Sequence, residues 1–181
     1  MAEIIEYAES ISNNIGQRLL KGEVGIFPCD TIYGLCAKVS EENASRIYQI
    51  KKRPENKSFI QLMDKRQIEQ QGLVVPEDII SLWPAPFTAI VYDKSGSTVA
   101  LRVPNDSFIL SILPISGPIY STSVNFSGSP SLQDPEDIIN SFSSLVDFIV
   151  VKKDLEKGLS STLIDVTKKP YRIIRQGAYR F

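Results

Sequence analysis

The sequence predicts an α/β fold with a mixed sheet. Three observations carry that expectation. Short apolar runs of strand character recur along the chain, helical periodicities fall irregularly between them, and Asp93-Lys94-Ser95-Gly96 joins two of the runs with hairpin chemistry. Regular strand–helix alternation would give a parallel sheet, whereas irregular alternation with a hairpin gives a mixed one. The 181 residues suit one domain or two small ones. No repeat, low-complexity tract or linker divides them, so residues 1–181 are read as a single domain.

The elements follow in order. Ile4, Ala8, Ile11, Ile15 and Leu19 recur at helical spacing, and Gly22 can end that helix. Residues 24–27 read as a short buried strand, Pro28-Cys29-Asp30-Thr31 breaks it, and 33–39 resume as strand. Residues 41–50 read as a helix with Ala44, Ile47 and Ile50 on one face and Ser40 as its cap. Pro54 ends it, which places Lys51, Arg53 and Lys57 at a helix end and in a loop. A strand at 59–62 and short helices at 64–71 and 76–82 come next. Trp83-Pro84-Ala85-Pro86 is a rigid turn, because two prolines fix φ. Residues 87–92 and 98–103 form the hairpin, 106–113 a helix and 118–122 a strand. A Ser-, Gly- and Pro-rich loop precedes a helix at 135–145. Strands at 148–151, 162–166 and 172–174 complete the chain.

Composition narrows the chemistry. Apolar residues make up 43% of the chain, enough for an ordinary core. The formal net charge is -1, with a pI near 5.6, which argues against general nucleic-acid affinity but not against a local basic groove. The absence of histidine excludes Ser-His-Asp and Cys-His hydrolases and His-ligated zinc. There is no Walker A or G-x-G-x-x-G sequence. Cys29 and Cys36 fit no common metal spacing and read as two small buried residues, so no protein-held metal is expected. No apolar run is long enough for a membrane span, and Met1-Ala2-Glu3 does not open a signal peptide; a cytoplasmic protein is expected.

Lys51-Lys52-Arg53-Pro54-Glu55-Asn56-Lys57 concentrates four cations in seven residues. Arginine grips phosphate oxygens with two bonds and lysine adds a point charge. Two hydroxyl-rich clusters, Ser121-Thr122-Ser123-Val124-Asn125 and Ser160-Ser161-Thr162, sit at strand ends, the usual place for a site in an open α/β sheet. Arg102 interrupts an apolar strand, and a buried charge needs a partner. A ligand carboxylate or Asp165 could serve. Cations and hydroxyls without imidazole suit a phosphorylated or carboxylated ligand.

Together these pieces resemble the YrdC-like family of threonylcarbamoyl-AMP synthases. Pro28-Cys29-Asp30-Thr31-Ile32-Tyr33-Gly34-Leu35 is similar to the family's P-T-[DE]-T-x-Y-G-L, Lys51-Lys52-Arg53-Pro54 to K-x-R-P, and Trp83-Pro84-Ala85-Pro86-Phe87-Thr88 to W-P-G-P-x-T. Arg102-Val103-Pro104 is similar to R-V-P, Ser121 to Asn125 to S-T-S-A-N, Ser160-Ser161-Thr162 with Asp165 to S-S-T-x-x-D, and Arg175-Gln176-Gly177 to R-x-G. No single motif is specific, but seven in order over residues 28–177 are.

The resemblance implies a twisted mixed sheet with flanking helices around a concave cationic cavity. It implies that L-threonine, bicarbonate and ATP, with Mg²⁺ on the phosphates, give threonylcarbamoyl-AMP and pyrophosphate. The product would feed the threonylcarbamoyl modification of tRNA adenosine 37 through tRNA-modifying partner proteins. By the same likeness Arg53, Lys57, Thr98, Ser123, Asn125 and Arg175 would face ATP, and Lys51 and Arg53 would be catalytic. Thr31, Arg102, Ser121 and Ser161 would hold threonine. Cys29, Ala85 and the Ser58-Phe59 pair depart from the family pattern, and the long forms' C-terminal domain is not in the chain. A YciO-like branch shares the fold and most motifs. Two other readings stand beside the synthase: a non-catalytic factor binding double-stranded RNA or tRNA, and a transferase using a carbamoyl adenylate on another acceptor. Residues 127–134 are the candidate loop over the cavity.

Overall fold

The structure, a computed structural model, describes residues 1–55 and 58–181. Alternation of buried side chains dictates its centre. Val24 and Ile26 of β2 (Val24–Pro28) turn to one face of the sheet, and Phe27 to the other. β3 (Tyr33–Lys38) returns antiparallel beside β2, pairing Phe27 with Gly34 and Val24 with Ala37. β7 (Ile119–Ser123) pairs antiparallel with β3, setting Ser123 opposite Gly34 and Ser121 opposite Cys36.

The sheet extends both ways from this centre. On one side β8 (Phe148–Val151) runs parallel to β2, and β1 (Glu3–Glu6) parallel to β8. On the other, β4 (Ile60–Leu62), β6 (Thr98–Arg102), β5 (Phe87–Tyr92), β9 (Thr162–Asp165) and β10 (Arg172–Arg175) follow in that order. The ten described strands thus form one mixed sheet, as expected from the irregular alternation. No helix among the described residues is long and apolar enough to cross a membrane.

Helices cover both faces. α1 (Ser12–Leu20) and α5 (Ser107–Ser116) pack Ile15, Leu19, Phe108 and Ile112 onto Phe27 and Phe148. α2 (Glu41–Lys51) and α6 (Pro135–Phe142) pack Ile47, Ile50, Ile138 and Phe142 onto the opposite face. α3 (Lys65–Gln71) and α4 (Glu77–Ile80) join Trp83, Phe87 and Val103 in a third cluster at the far half of the sheet. Local chemistry fixes the helix starts: Ser40 accepts from the Asn43 amide, Asp64 forms a capping box with Gln67, and Asp106 and Asp134 cap α5 and α6.

The N-terminal segment departs from the expected helix. Residues 3–6 form β1, a 3-10 turn follows at Glu9–Ile11, and α1 begins only at Ser12. Isoleucines at 4 and 5 favour extended backbone, and β8 offers them a free ladder edge, so tertiary pairing overrides the 3.6-residue spacing. α5 runs three residues further than expected, through Pro114.

Asp147 joins three elements. Its carboxylate accepts from the Val24 amide at 2.7 Å and from Arg46 of α2 at 2.7 and 3.0 Å. Burial pushes its pKa up, but these bonds outweigh that and hold it below the usual 3.8. Asp147→Ala should cost about 1.5–3 kcal/mol of stability at neutral pH. The folded pKa is depressed, so the contribution is full above about pH 4 and fades as pH falls through the folded value. Urea denaturation of both proteins at pH 7 and pH 3 checks this; a difference unchanged between the two would refute it.

Candidate functional site

α2 ends in a left-handed residue, Lys52, with φ 50°. That turn carries the chain off the helix axis and brings Arg53 to the wall of a cavity of about 450 Å³. The guanidinium lies over the Phe59 ring at 5.2 Å, and Nη2 donates to the Ser58 carbonyl at 3.3 Å. Arg102 reaches the same cavity from the end of β6. Arg175 arrives from β10, where a register irregularity between Ile173 and Arg175 re-aims the strand. Its Nη2 donates to the Ser161 carbonyl at 2.8 Å.

Arg102 is 3% exposed, so its partner matters. Nη2 lies 3.0 Å from Oδ1 of Asp30, and Nη1 donates to Thr31 Oγ1 at 3.4 Å. Asp165 is engaged elsewhere: the Thr167 amide and hydroxyl donate to it at 2.9 and 2.6 Å. Asp30, beside Thr31 in the sequence, is therefore the acid at Arg102. The pair leaves work undone. Among the described residues, Nε of Arg102, Nε of Arg53 and Oγ of Ser131 are buried without a hydrogen-bond partner and belong to residues that line the cavity, and Oδ1 of Asp30 is likewise without a hydrogen bond. Buried donors in that state imply a ligand or water to accept from them.

Hydroxyls complete the wall. Ser121 and Ser123 continue the face of β7 that Ile119 begins. Ser161 Oγ lies 2.9 Å from Thr88 Oγ1. Two glycines let these segments close up. A Cβ on Gly158 would sit 2.0 Å from the Thr31 carbonyl oxygen, and one on Gly177 2.1 Å from that of Ser160. Burial lowers the pKa of Arg53 and Arg175, and the charge of Arg102 adds to the effect at Arg175. Among the described residues no group of three or more His, Cys, Asp or Glu could hold a metal ion.

The cavity brings together three guanidiniums, several hydroxyls and, among the described residues, buried donors without a partner. Residues 17–177 match the model of the Sua5/YciO/YrdC family, described as telomere recombination. The chain belongs to that family. It is 32% identical to the threonylcarbamoyl-AMP synthase of Pyrococcus abyssi over 174 residues, which cover 87% of this chain and 51% of the relative. It is 29% identical over 186 residues to the putative threonylcarbamoyl-AMP synthase of Methanocaldococcus jannaschii, covering 95% and 88%. The solved structure of P. abyssi Sua5 complexed with L-threonine matches at a TM-score of 0.86 and 26% identity, covering 98% of this chain and 57% of that one. The chain thus spans about half the length of the P. abyssi relative.

Of the residues singled out from the sequence, Thr31, Arg53, Arg102, Ser121, Ser123, Asn125, Ser161 and Arg175 all line the one cavity. Lys57 lies outside the described residues. Thr98 lines an adjoining recess of about 160 Å³ with Tyr48, Phe59 and Tyr120. Lys51 is not among the lining residues. Its ammonium points behind the wall, to the carbonyls of Ser123 and Asn125 and to Asn125 Oδ1. Asp30, Thr88 and Ser131 were given no role from the sequence. The first two stood inside recognised motifs, and an acid next to Thr31 was the available signal.

Lys51 is 2% exposed, and burial, with repulsion from Arg53, lowers its pKa from 10.5 to about 8. Between those values the unfolded chain holds a proton that the folded chain has released. Folding stability gains from this group as pH rises from about 8, by at most about 1.4 kcal/mol per pH unit. Denaturant melts at pH 7.5 and 9.5 should show that gain in the wild type relative to Lys51→Met. Parallel curves for the two proteins would show a normal lysine.

Proposed function

We propose that this Sua5/YciO/YrdC-family protein forms L-threonylcarbamoyl adenylate and pyrophosphate from L-threonine, bicarbonate and ATP. The observation that carries the reading is the convergence of Arg53, Arg102 and Arg175 on one hydroxyl-walled cavity with unpartnered buried donors. Among the described residues a carboxylate offsets their mutual repulsion only at Arg102, so the cavity favours an anionic occupant. Two anions of different shape would share it, a carboxylate near Arg102 and a triphosphate near Arg53 and Arg175. The naming of relatives as threonylcarbamoyl-AMP synthases supports the choice of substrates.

The chemistry needs no imidazole. The threonine amine adds to bicarbonate with loss of water, giving a carbamate. A carbamate oxygen attacks the α-phosphorus, a new P–O bond forms, and the bond to pyrophosphate breaks. Such a displacement asks for positioning and charge stabilisation more than for proton transfer. Arg53 and Arg175 would neutralise the phosphates, and Lys57 would be a third cation by family likeness. Arg102 with Thr31, Ser121 and Ser161 would orient the amino acid. No group of three or more His, Cys, Asp or Glu among the described residues could hold a metal ion, and Mg²⁺ would come as the ATP complex and supply further charge neutralisation. The product would pass to proteins that transfer it to adenosine 37 of tRNA.

Incubation of the pure protein with ATP, bicarbonate and labelled threonine should yield labelled adenylate and pyrophosphate in equal amounts. Pyrophosphate release that ignores threonine would point to another acceptor. No release, with tight and salt-resistant binding of duplex RNA, would favour the RNA-binding reading, since phosphate contacts are normally salt-sensitive.

Arg102 offers a sharper test. Removing it strands Asp30, whose side chain is 2% exposed, and breaking such a pair costs about 3–5 kcal/mol. Arg102→Ala should therefore be unstable, and Asp30→Asn with Arg102→Ala should recover most of that loss. The double variant should still raise the KM for threonine by about 10- to 150-fold, the loss of a charge-assisted bond, with the KM for ATP moving far less. Equal effects on both substrates would remove Arg102 from the threonine side.

A further inference from the structure

Lys51 is the buried cation that the cavity does not use. Its three ammonium hydrogens meet three acceptors at the end of β7: the carbonyl of Ser123, the carbonyl of Asn125 at 3.0 Å and Asn125 Oδ1 at 2.7 Å. Its own carbonyl accepts the amide of Ser127 at 2.8 Å. One residue of α2 therefore binds the chain at 123, 125 and 127. The loop that follows is tied to the same place. Asn125 Nδ2 donates to the Ser129 carbonyl at 2.6 Å, and the Leu132 amide to the Val124 carbonyl at 2.8 Å. Ser131, whose buried hydroxyl has no partner among the described residues, lines the cavity from inside that loop.

We infer that Lys51 is a positioning residue: it fixes Ser123, Asn125 and the 127–134 loop against the cavity and does not itself touch a substrate. The inference rests on the synthase reading for its kinetics, but not for its structural half. Three features favour positioning over catalysis. The ammonium is already saturated by protein oxygens. Those oxygens belong to the segment whose side chains line the cavity. Asn125 is oriented by the contact: with Oδ1 accepting from Lys51 and from Ser123 Oγ at 2.8 Å, its amide nitrogen is turned to Ser129.

Lysine suits the post better than arginine, because three donors on one tetrahedral nitrogen match three converging acceptors, whereas a planar fork does not. A neutral amine keeps two donors and turns a lone pair on one acceptor. The groups that meet Lys51 are the Ser123 and Asn125 oxygens from the end of β7, with Arg53 as the charged neighbour that lowers its proton affinity.

The test compares Lys51→Met and Lys51→Arg with the wild type. Amide exchange of the unliganded proteins is read first, because it does not depend on any activity. Both variants should lose protection over residues 123–132 and keep it in α1 and α5. Steady-state pyrophosphate release should then show the KM for ATP raised by roughly ten- to a hundredfold, the scale of a misplaced binding wall, with kcat and the KM for threonine changed much less. Protection unchanged in both variants would overturn the inference, and so would a kcat collapse at unchanged KM. Should Lys51→Met fail to fold, Lys51→Arg alone carries the comparison, with the same two outcomes. If the wild type releases no pyrophosphate, the synthase reading fails, while the exchange results still decide the role of Lys51.

Discussion

The pairing of β3 with β7 is the constraint on which the site depends. It places Gly34 opposite Ser123 and Cys36 opposite Ser121 in the middle of the sheet. A side chain at 34 would have no room: its Cβ would lie 2.7 Å from Cys29 Sγ, 2.9 Å from Cys36 Sγ and 2.9 Å from Ser121 Oγ. The hydroxyls of β7 can therefore stand at the cavity wall only because β3 presents bare backbone beside them. A shift of one residue in this register would turn Ser121 and Ser123 to the opposite face and bring Tyr120 and Val124 into the cavity. Tyr120 and Val124 belong to the core under α2 and α6, so the cost of burying the wrong set protects the site.

Electrostatics follow from the same placement. The chain as a whole is nearly neutral, with 20 basic and 21 acidic residues, yet three guanidiniums share one cavity. Among the described residues, only Arg102 has a carboxylate there. Arg53 and Arg175 bond backbone carbonyls, which orient a guanidinium without cancelling its charge. The concavity thus gathers three guanidiniums in a way that global composition hides.

Much of this was legible in the sequence, and the exceptions have physical causes. Strand and helix identity from residue 24 onward could be read from periodicity, caps and prolines, because those segments obey local rules. β1 could not, since Ile4 and Ile5 fit a helical stripe equally well and only the edge of β8 decides between them. The cavity residues were visible as motifs, but their depth was not. Lys51 and Arg53 stand two positions apart in one cationic motif. The turn at Lys52 sends one behind the wall and the other onto it, and a left-handed lysine leaves no mark in composition. The Asp30–Arg102 pair was hidden for another reason. The two residues stand 72 positions apart, and only the sheet brings them together.

The structure uses one device twice to hold irregular wall segments. On one side Lys51 binds the backbone at the end of β7. On the other Thr162, fully buried at the start of β9, binds the C-terminal segment: its hydroxyl donates to the Tyr179 carbonyl at 2.7 Å and accepts from the amides of Gly177 and Tyr179 at 2.9 and 3.0 Å. In each case a single interior polar side chain supplies bonds that irregular backbone would otherwise lack. In each case the tethered segment leaves a strand that carries cavity residues, Ser123 in β7 and Arg175 in β10. Rigid sheet pairing alone could not do this, because Arg175 sits past a register irregularity and Asn125 past the end of its ladder. Two buried anchors, one cationic and one neutral, therefore hold the segments that leave β7 and β10 at the cavity.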